Sequence, residues 1–257
     1  MTEFDALVGA LRAAGCVFAE EEARLLTQTL APGAALAAGV RRRVAGEPLE
    51  HVLGWAEFCG VRLAVDPGVF VPRVRTEFLV RQAGAVLTSR NVLVDLCCGA
   101  GAVGAVLAGE HQVELHAVDL EPAAVRCARR NLAGIEDARA YLGDLYAPLP
   151  TRLRNRVDVL VANAPYVPTQ EIPLLPPEAR LHEPRVALDG GVDGLRIQRR
   201  VTAGARQWLA PGGHLLIETS GRQAEHTASA MTEAGLARVR VQQDEDLGAT
   251  VVIGTAP

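Results

Sequence analysis

A short aliphatic run that breaks into glycine and resumes as a helix leaves a chain few folds to choose from. Here Val92-Leu93-Val94-Asp95 runs into Leu96-Cys97-Cys98-Gly99-Ala100-Gly101-Ala102-Val103-Gly104. The glycines let the backbone turn sharply and let a ligand approach with no Cβ in the way. Glycine-rich turns are common in α/β proteins, so the pattern alone is weak evidence. Its context strengthens it: a predicted strand precedes it, a predicted helix follows, and Asp119 stands at the end of the next strand.

From about Thr76 onward, strand and helix patterns alternate. Strands are predicted over 92–95, 113–118, 138–142, 157–162 and 214–218, with a last antiparallel pair over 237–241 and 250–253. A helix over 78–87 precedes the first strand, and the later gaps are long enough for crossover helices. The result is an α/β fold with a Rossmann-like, mostly parallel sheet of seven strands covered on both faces.

The N-terminal part reads differently. Phe4, Leu7, Val8 and Leu11 recur at helical spacing. A second helix carries Ala23, Leu25, Leu26 and Leu30 and stops before Pro32-Gly33. A third runs over 34–45 through Arg41-Arg42-Arg43 to Gly46. That arginine run reads as a solvated helix face. Between the two parts, Val61, Leu63 and Val65 alternate before Asp66-Pro67-Gly68, and Val69-Phe70-Val71 resume, which predicts a hairpin with its turn at 66–68. The expected organisation is a helical domain over 1–54, a hairpin linker over 55–75 and an α/β domain over 76–257.

Composition narrows the class further. With 49% hydrophobic and 22% charged residues, the chain can build a core and is not globally disordered. A net charge of −4 argues against a protein that wraps a nucleic-acid backbone. Five cysteines without a CxxC pair predict a reducing compartment, no disulfide framework and no metal site. The first twenty residues hold Glu3, Asp5 and Glu20 and no long apolar run, so no signal peptide is expected, and 102–108 is too short to span a bilayer. The expected location is the cytoplasm.

The glycine turn and Asp119 suit either a dinucleotide or S-adenosylmethionine, and three features favour the latter: Asp95, Gly143-Asp144 and the loop Asn163 to Tyr166. Asp95 heads the loop, where a carboxylate can hold the cationic amino group of a methionine moiety. Asp119 can accept both hydroxyls of a ribose, a role compatible with capping the helix before Glu121-Pro122. Gly143-Asp144 ends the third strand, where an Asp can accept from an adenine amine. No basic pair for a pyrophosphate is visible. The fourth strand ends in Asn163-Ala164-Pro165-Tyr166. An amide nitrogen is a poor nucleophile, because its lone pair is delocalised. Two fixed oxygens, the Asn163 side chain and the Ala164 carbonyl, can accept its two hydrogens and favour charge developing on it. Pro165 stiffens the turn, and the Tyr166 ring offers a flat wall.

These residues, with Gly46-Glu47-Pro48-Leu49-Glu50-His51, Gly68 to Glu77 and His182-Glu183-Pro184-Arg185 through Gly191, resemble the HemK/PrmC family. Its members methylate the side-chain amide nitrogen of a glutamine in class 1 peptide-chain release factors. The resemblance covers nearly the whole chain. It implies a class I fold for S-adenosylmethionine-dependent methyltransferases, with S-adenosylhomocysteine as product and a release factor as partner. It assigns the cofactor to Asp95, Cys97, Gly99, Ala100, Gly101, Asp119, Leu120, Asp144, Leu145 and Asn163. It assigns the substrate to Arg73, Thr76, Glu77, Asn163, Pro165 and Tyr166, and catalysis to Asn163, Ala164, Pro165 and Tyr166. His182 to Arg185 would shape the rim of the pocket or supply a structural Arg–Glu pair.

The chain also departs from the family. Ala164 replaces a proline, Val74-Arg75 stands where the family has Pro and an acid, and Leu145-Tyr146 stands where relatives often place an aromatic residue directly after the Asp. The helical N-terminal piece is shorter. Two other readings fit the same pocket: an amino-methyltransferase for a nucleic-acid base or small metabolite, and a cofactor-binding module that has lost catalysis.

Overall fold

A computed structural model describes residues 2–257. The chain opens with four helices, α1 (Glu3–Ala13), α2 (Ala19–Thr29), α3 (Ala34–Val44) and α4 (Leu49–Leu53). Thr2 and Asp5 cap α1 reciprocally: the Asp5 N–H donates to Thr2 Oγ1 at 3.1 Å and the Thr2 N–H to Asp5 Oδ2 at 2.8 Å. Leu7, Leu11, Ala19, Ala23, Leu26 and Val52 form the core of this bundle. Gly39 lets α3 come close, since a Cβ there would lie 2.3 Å from Leu30 Cδ1.

Arg43 is not part of a solvated face. It is 8% exposed and donates to Glu22 at 2.6 Å and to Glu178 at 2.5 Å. Glu178 lies on the later helix Pro177–His182, so one guanidinium ties the helical bundle to a distant part of the chain. A buried cation needs such partners, and the three-residue run concealed which of its members had them.

The hairpin is formed by β1 (Trp55–Phe58) and β2 (Val61–Ala64), with its turn at Cys59-Gly60 and not at 66–68. Both turn residues have positive φ, 49° and 72°, the requirement of the tight two-residue turn that matches strand twist. Residues 69–71 form no strand. His51 Nε2 lies 2.8 Å from Val69 O, and the Val71 N–H donates to Glu183 Oε1 at 3.1 Å. Their polar groups are satisfied by distant side chains, which periodicity cannot reveal.

The remaining elements are α5 (Glu77–Gly84), β3 (Val92–Leu96), α6 (Ala102–Glu110), β4 (Glu114–Asp119), α7 (Pro122–Leu132), β5 (Ala138–Leu142), β6 (Val157–Ala162), α8 (Pro177–His182), α9 (Arg196–Ala205), β7 (Leu209–Thr219), α10 (Ala224–Glu233), β8 (Ala237–Asp244) and β9 (Ala249–Thr255). Seven strands pair in the order β5-β4-β3-β6-β7-β9-β8, parallel except at β9, which runs antiparallel to both neighbours. Side chains alternate between two cores. Leu93, Leu115, Val161 and Leu216 face α5 and α6, while Val94, Leu160, Leu215 and Ile217 face α9 and α10. Cover on both faces explains why these strands read as continuous apolar runs.

One connection differs from expectation. Residues 143–156, between β5 and β6, form no α-helix, only a short 3-10 turn at Thr151–Leu153. Pro148 and Pro150 interrupt the segment, and buried Leu145, Leu149 and Leu153 pack it on the sheet instead. The strand order reverses direction between β3 and β6, which opens a crevice beyond their carboxyl ends. Among the described residues, no helix is long and apolar enough to cross a membrane.

Candidate active site

The crevice is lined by the ends of four parallel strands. Asp95, near the end of β3, is 3% exposed, and its Oδ2 accepts from the Gly104 N–H at 3.0 Å. Burial pushes its carboxyl up to about 7, with that single amide opposing. The loop that follows carries Cys97, Gly99 and Gly101 at φ 57°, 55° and 78°. Gly101 is the tight point, since a Cβ there would sit 3.1 Å from Ala128 Cβ. Burial raises the Cys97 and Cys98 thiols far above their ordinary value, so neither is an activated nucleophile.

Asp119 ends β4 and braces the loop. Its Oδ2 accepts from the Gly99 N–H at 2.8 Å and its Oδ1 from the Glu121 N–H at 2.9 Å. Each oxygen keeps a second lone pair for a ligand hydroxyl. Asp144, beyond β5, is half exposed and paired with Arg200 at 2.7 Å. Leu145 and the exposed Leu120 add apolar wall to the cavity. Tyr146 does not. It stacks on Trp208 with ring centroids 5.8 Å apart and donates to Val201 O at 2.6 Å, inside the core.

Beyond β6, Asn163 donates through Nδ2 to Thr76 Oγ1 at 3.2 Å, and Ala164 is fully buried. The backbone of this loop is held from above. Val167 donates to Leu188 O, and Gly190 donates back to Val167 O, at 3.0 and 2.9 Å. A Cβ on Gly190 would lie 2.7 Å from Pro165 O, and one on Gly194 2.3 Å from Tyr166 O. Gln223 completes the clamp, its Nε2 donating to Tyr166 O at 2.9 Å and to Asp193 O at 3.0 Å.

The cavity thus gathers Asp95, Cys97, Gly99, Ala100, Asp119, Leu120, Asp144, Leu145, Thr76, Asn163, Ala164, Pro165 and Tyr166. Three expected site residues stand outside it. Gly101 faces Ala128. The Arg73 Nη2 donates to both oxygens of Glu183 at 2.6 and 2.7 Å, and Glu77 accepts from the Cys59 N–H at 3.1 Å. Arg73 and Glu77 therefore shape the wall through their neighbours. The structural Arg–Glu pair of the His182–Arg185 segment is formed with Arg73, since Arg185 pairs with Asp189.

Sequence reasoning missed Phe70, Arg200, Glu218 and Gln223. Phe70 and Arg200 line the cavity, Gln223 clamps the loop, and Glu218 lies buried behind Thr76 and Tyr166. Glu218 did carry a signal: it is an acid that closes an apolar run at a sheet end where ligands sit. Among the described residues, no three His, Cys, Asp or Glu side chains gather to hold a metal.

Comparison with known proteins places this geometry. The family described as "Methyltransferase small domain" matches residues 60–175. The release factor glutamine methyltransferase of Geobacter sulfurreducens is 37% identical over 218 residues, 84% of this chain and 75% of that protein. That of Streptomyces coelicolor is 40% identical over 200 residues, 76% and 70% of the two chains. In fold, the chain is similar to a methyltransferase from Pyrococcus furiosus, with a TM-score of 0.57 and 15% identity over 84% of this chain and 96% of that one.

Proposed function

The chain belongs to the family of release factor glutamine methyltransferases, S-adenosylmethionine-dependent enzymes, and from that premise we propose its substrate and the work of each residue. It methylates the side-chain amide nitrogen (N5) of a glutamine in a peptide-chain release factor. One observation carries the reading: three strand-end carboxylates and the Asn163–Tyr166 loop line a single cavity.

The residues fit the cofactor. Asp95 is buried with a raised pKa and one amide donor, so a cationic amino group beside it would restore its charge. Asp119 has lone pairs for the ribose hydroxyls, and Asp144 for the adenine amine. When bound, S-adenosylmethionine supplies the electrophilic methyl and leaves as S-adenosylhomocysteine. The chain's own residues do the aligning. Asn163 gives its Oδ1 and Ala164 its backbone carbonyl to the two N–H groups of the glutamine amide. The nitrogen is then oriented, and positive charge is stabilised as it forms. The Tyr166 ring is the wall against which the planar amide lies.

Recognition of the protein partner falls to the helical segment 1–54, where Val17 and Phe18 stand 84% and 67% exposed. Release factors act in the cytoplasm, so the reading places the enzyme there. The test is to incubate the chain and a release factor with labelled S-adenosylmethionine and to locate the added methyl by mass spectrometry. The expected result is one methylated glutamine. Label found in RNA or in metabolites, with none in the release factor, overturns the reading.

A further inference from the structure

Glu218 lies near the end of β7 with its side chain 2% exposed, and neither of its oxygens meets a hydrogen-bond donor at good geometry. An unpartnered buried carboxylate is costly, so its surroundings call for an account. The groups that face it are the Thr76 and Tyr166 hydroxyls and the Arg75 guanidinium, whose Nε is 3.5 Å from Oε1. Burial raises its pKa, and these three groups oppose the rise. Arg75 stands where the family resemblance has an acid, so in this chain a cation supports the ionised form.

Thr76 is the link to the chemistry. Its hydroxyl can accept and donate, and the Asn163 side chain can turn either end toward it. Which end faces the cavity decides whether the substrate N–H meets an oxygen or another N–H. A carboxylate is acceptor only. The field of a carboxylate behind Thr76, held beside the Arg75 guanidinium, turns the hydroxyl proton toward it without a close hydrogen bond and leaves Oγ1 as an acceptor. Asn163 must then donate Nδ2 to Thr76, as it does at 3.2 Å, and Oδ1 is left for the cavity.

We propose that Thr76 and Glu218 are positioning residues that fix the orientation of the Asn163 amide, with its oxygen toward the substrate nitrogen. The inference rests on the reading of Asn163 as the acceptor of the glutamine N–H. Glu218→Gln keeps the shape but offers N–H to Thr76, so the hydroxyl is free to turn. Thr76→Val keeps the shape and removes the link.

Two measurements test this. In the chain alone, one Asn163 side-chain N–H should exchange slowly in NMR spectra, and in Thr76→Val its exchange should be about fivefold faster, the loss of a bond worth ~1 kcal/mol. Equal exchange overturns the inference. With a release factor as substrate, kcat should fall about 30-fold in Thr76→Val and about tenfold in Glu218→Gln. Cofactor affinity and the KM for the release factor should stay within about twofold, and Thr76→Ser should recover most of kcat, as expected for an interaction made only in the transition state. Unchanged kcat in Thr76→Val, or a parallel loss of cofactor affinity and melting temperature, overturns it. If the native chain leaves the release factor unmethylated, the substrate reading fails, while the exchange measurement still decides the orientation.

Discussion

The two halves of the cavity are built by different means. On the cofactor side, the carboxylates around the glycine loop are braced locally: Asp95 is held by an amide 9 residues on, and Asp119 by amides 20 residues back and 2 residues on, while Asp144 alone reaches far, to Arg200 56 positions on. On the substrate side, the braces come from far along the chain. Asn163 is held by a residue 87 positions away, Tyr166 by one 57 away, and the strap before α5 by Glu183, 110 positions from Arg73. On the proposed roles, the difference teaches that most of a cofactor pocket can be written into one strand–turn–helix–strand unit, whereas aligning a weak nucleophile draws on segments from across the domain.

The sharpest way to break the comparison is to remove one side and watch the other. Asn163→Ala should cut methyl transfer by about a thousandfold, with cofactor affinity unchanged within about twofold by calorimetry. Equal losses in both would merge the two halves. Asp119→Ala should do the reverse. Cofactor affinity falls by about a hundredfold, as two hydrogen bonds to a charged group are lost, while kcat at saturating cofactor is largely kept. Unchanged affinity would remove the ribose role.

A smaller effect is expected from pH. Cofactor-free, Asp95 holds its proton until about pH 7, and a bound cation requires the ionised form. Affinity should therefore be full above that pH and fall by up to about tenfold per unit below it, a slope absent in Asp95→Asn. The sign reverses for stability without cofactor. The folded state keeps a proton that the unfolded chain has released, so stability declines as pH rises from about 4 to about 7. The smallest effect on catalysis belongs to Arg73→Met, which lies outside the cavity. A few-fold drop in kcat is expected, beside a clear fall in melting temperature, because Glu183 is left buried and unpaired at a cost of about 3 kcal/mol.

The same contrast decides what the sequence could show. Strands over 138–142 and 157–162 lie at their expected bounds, and the polar residues that follow them, Asp144 and Asn163, are in the cavity, because strand periodicity and glycine turns are local signals. The hairpin is displaced toward the N-terminus, because Cys59 takes a left-handed conformation that no residue preference announces. Arg73 and Glu77 read as substrate ligands because they are polar and adjacent to Thr76. Only the fold shows that their charges turn to Glu183 and the Cys59 amide. Gln223 gave no signal at all, since a glutamine before a helix is unremarkable until the chain brings it over Tyr166.

The clamp of Gly190, Gly194 and Gln223 over the loop bears on how this chain came to carry Ala164. A missing pyrrolidine ring loosens an unfolded chain by up to about 1 kcal/mol, yet here Ala164 is fully buried and the next two carbonyls are closely covered by Gly190 and Gly194. Stiffness here comes from the segment packed above the loop and not from the loop's own covalent chemistry. A change at 164 is cheap for as long as 190 and 194 stay bare.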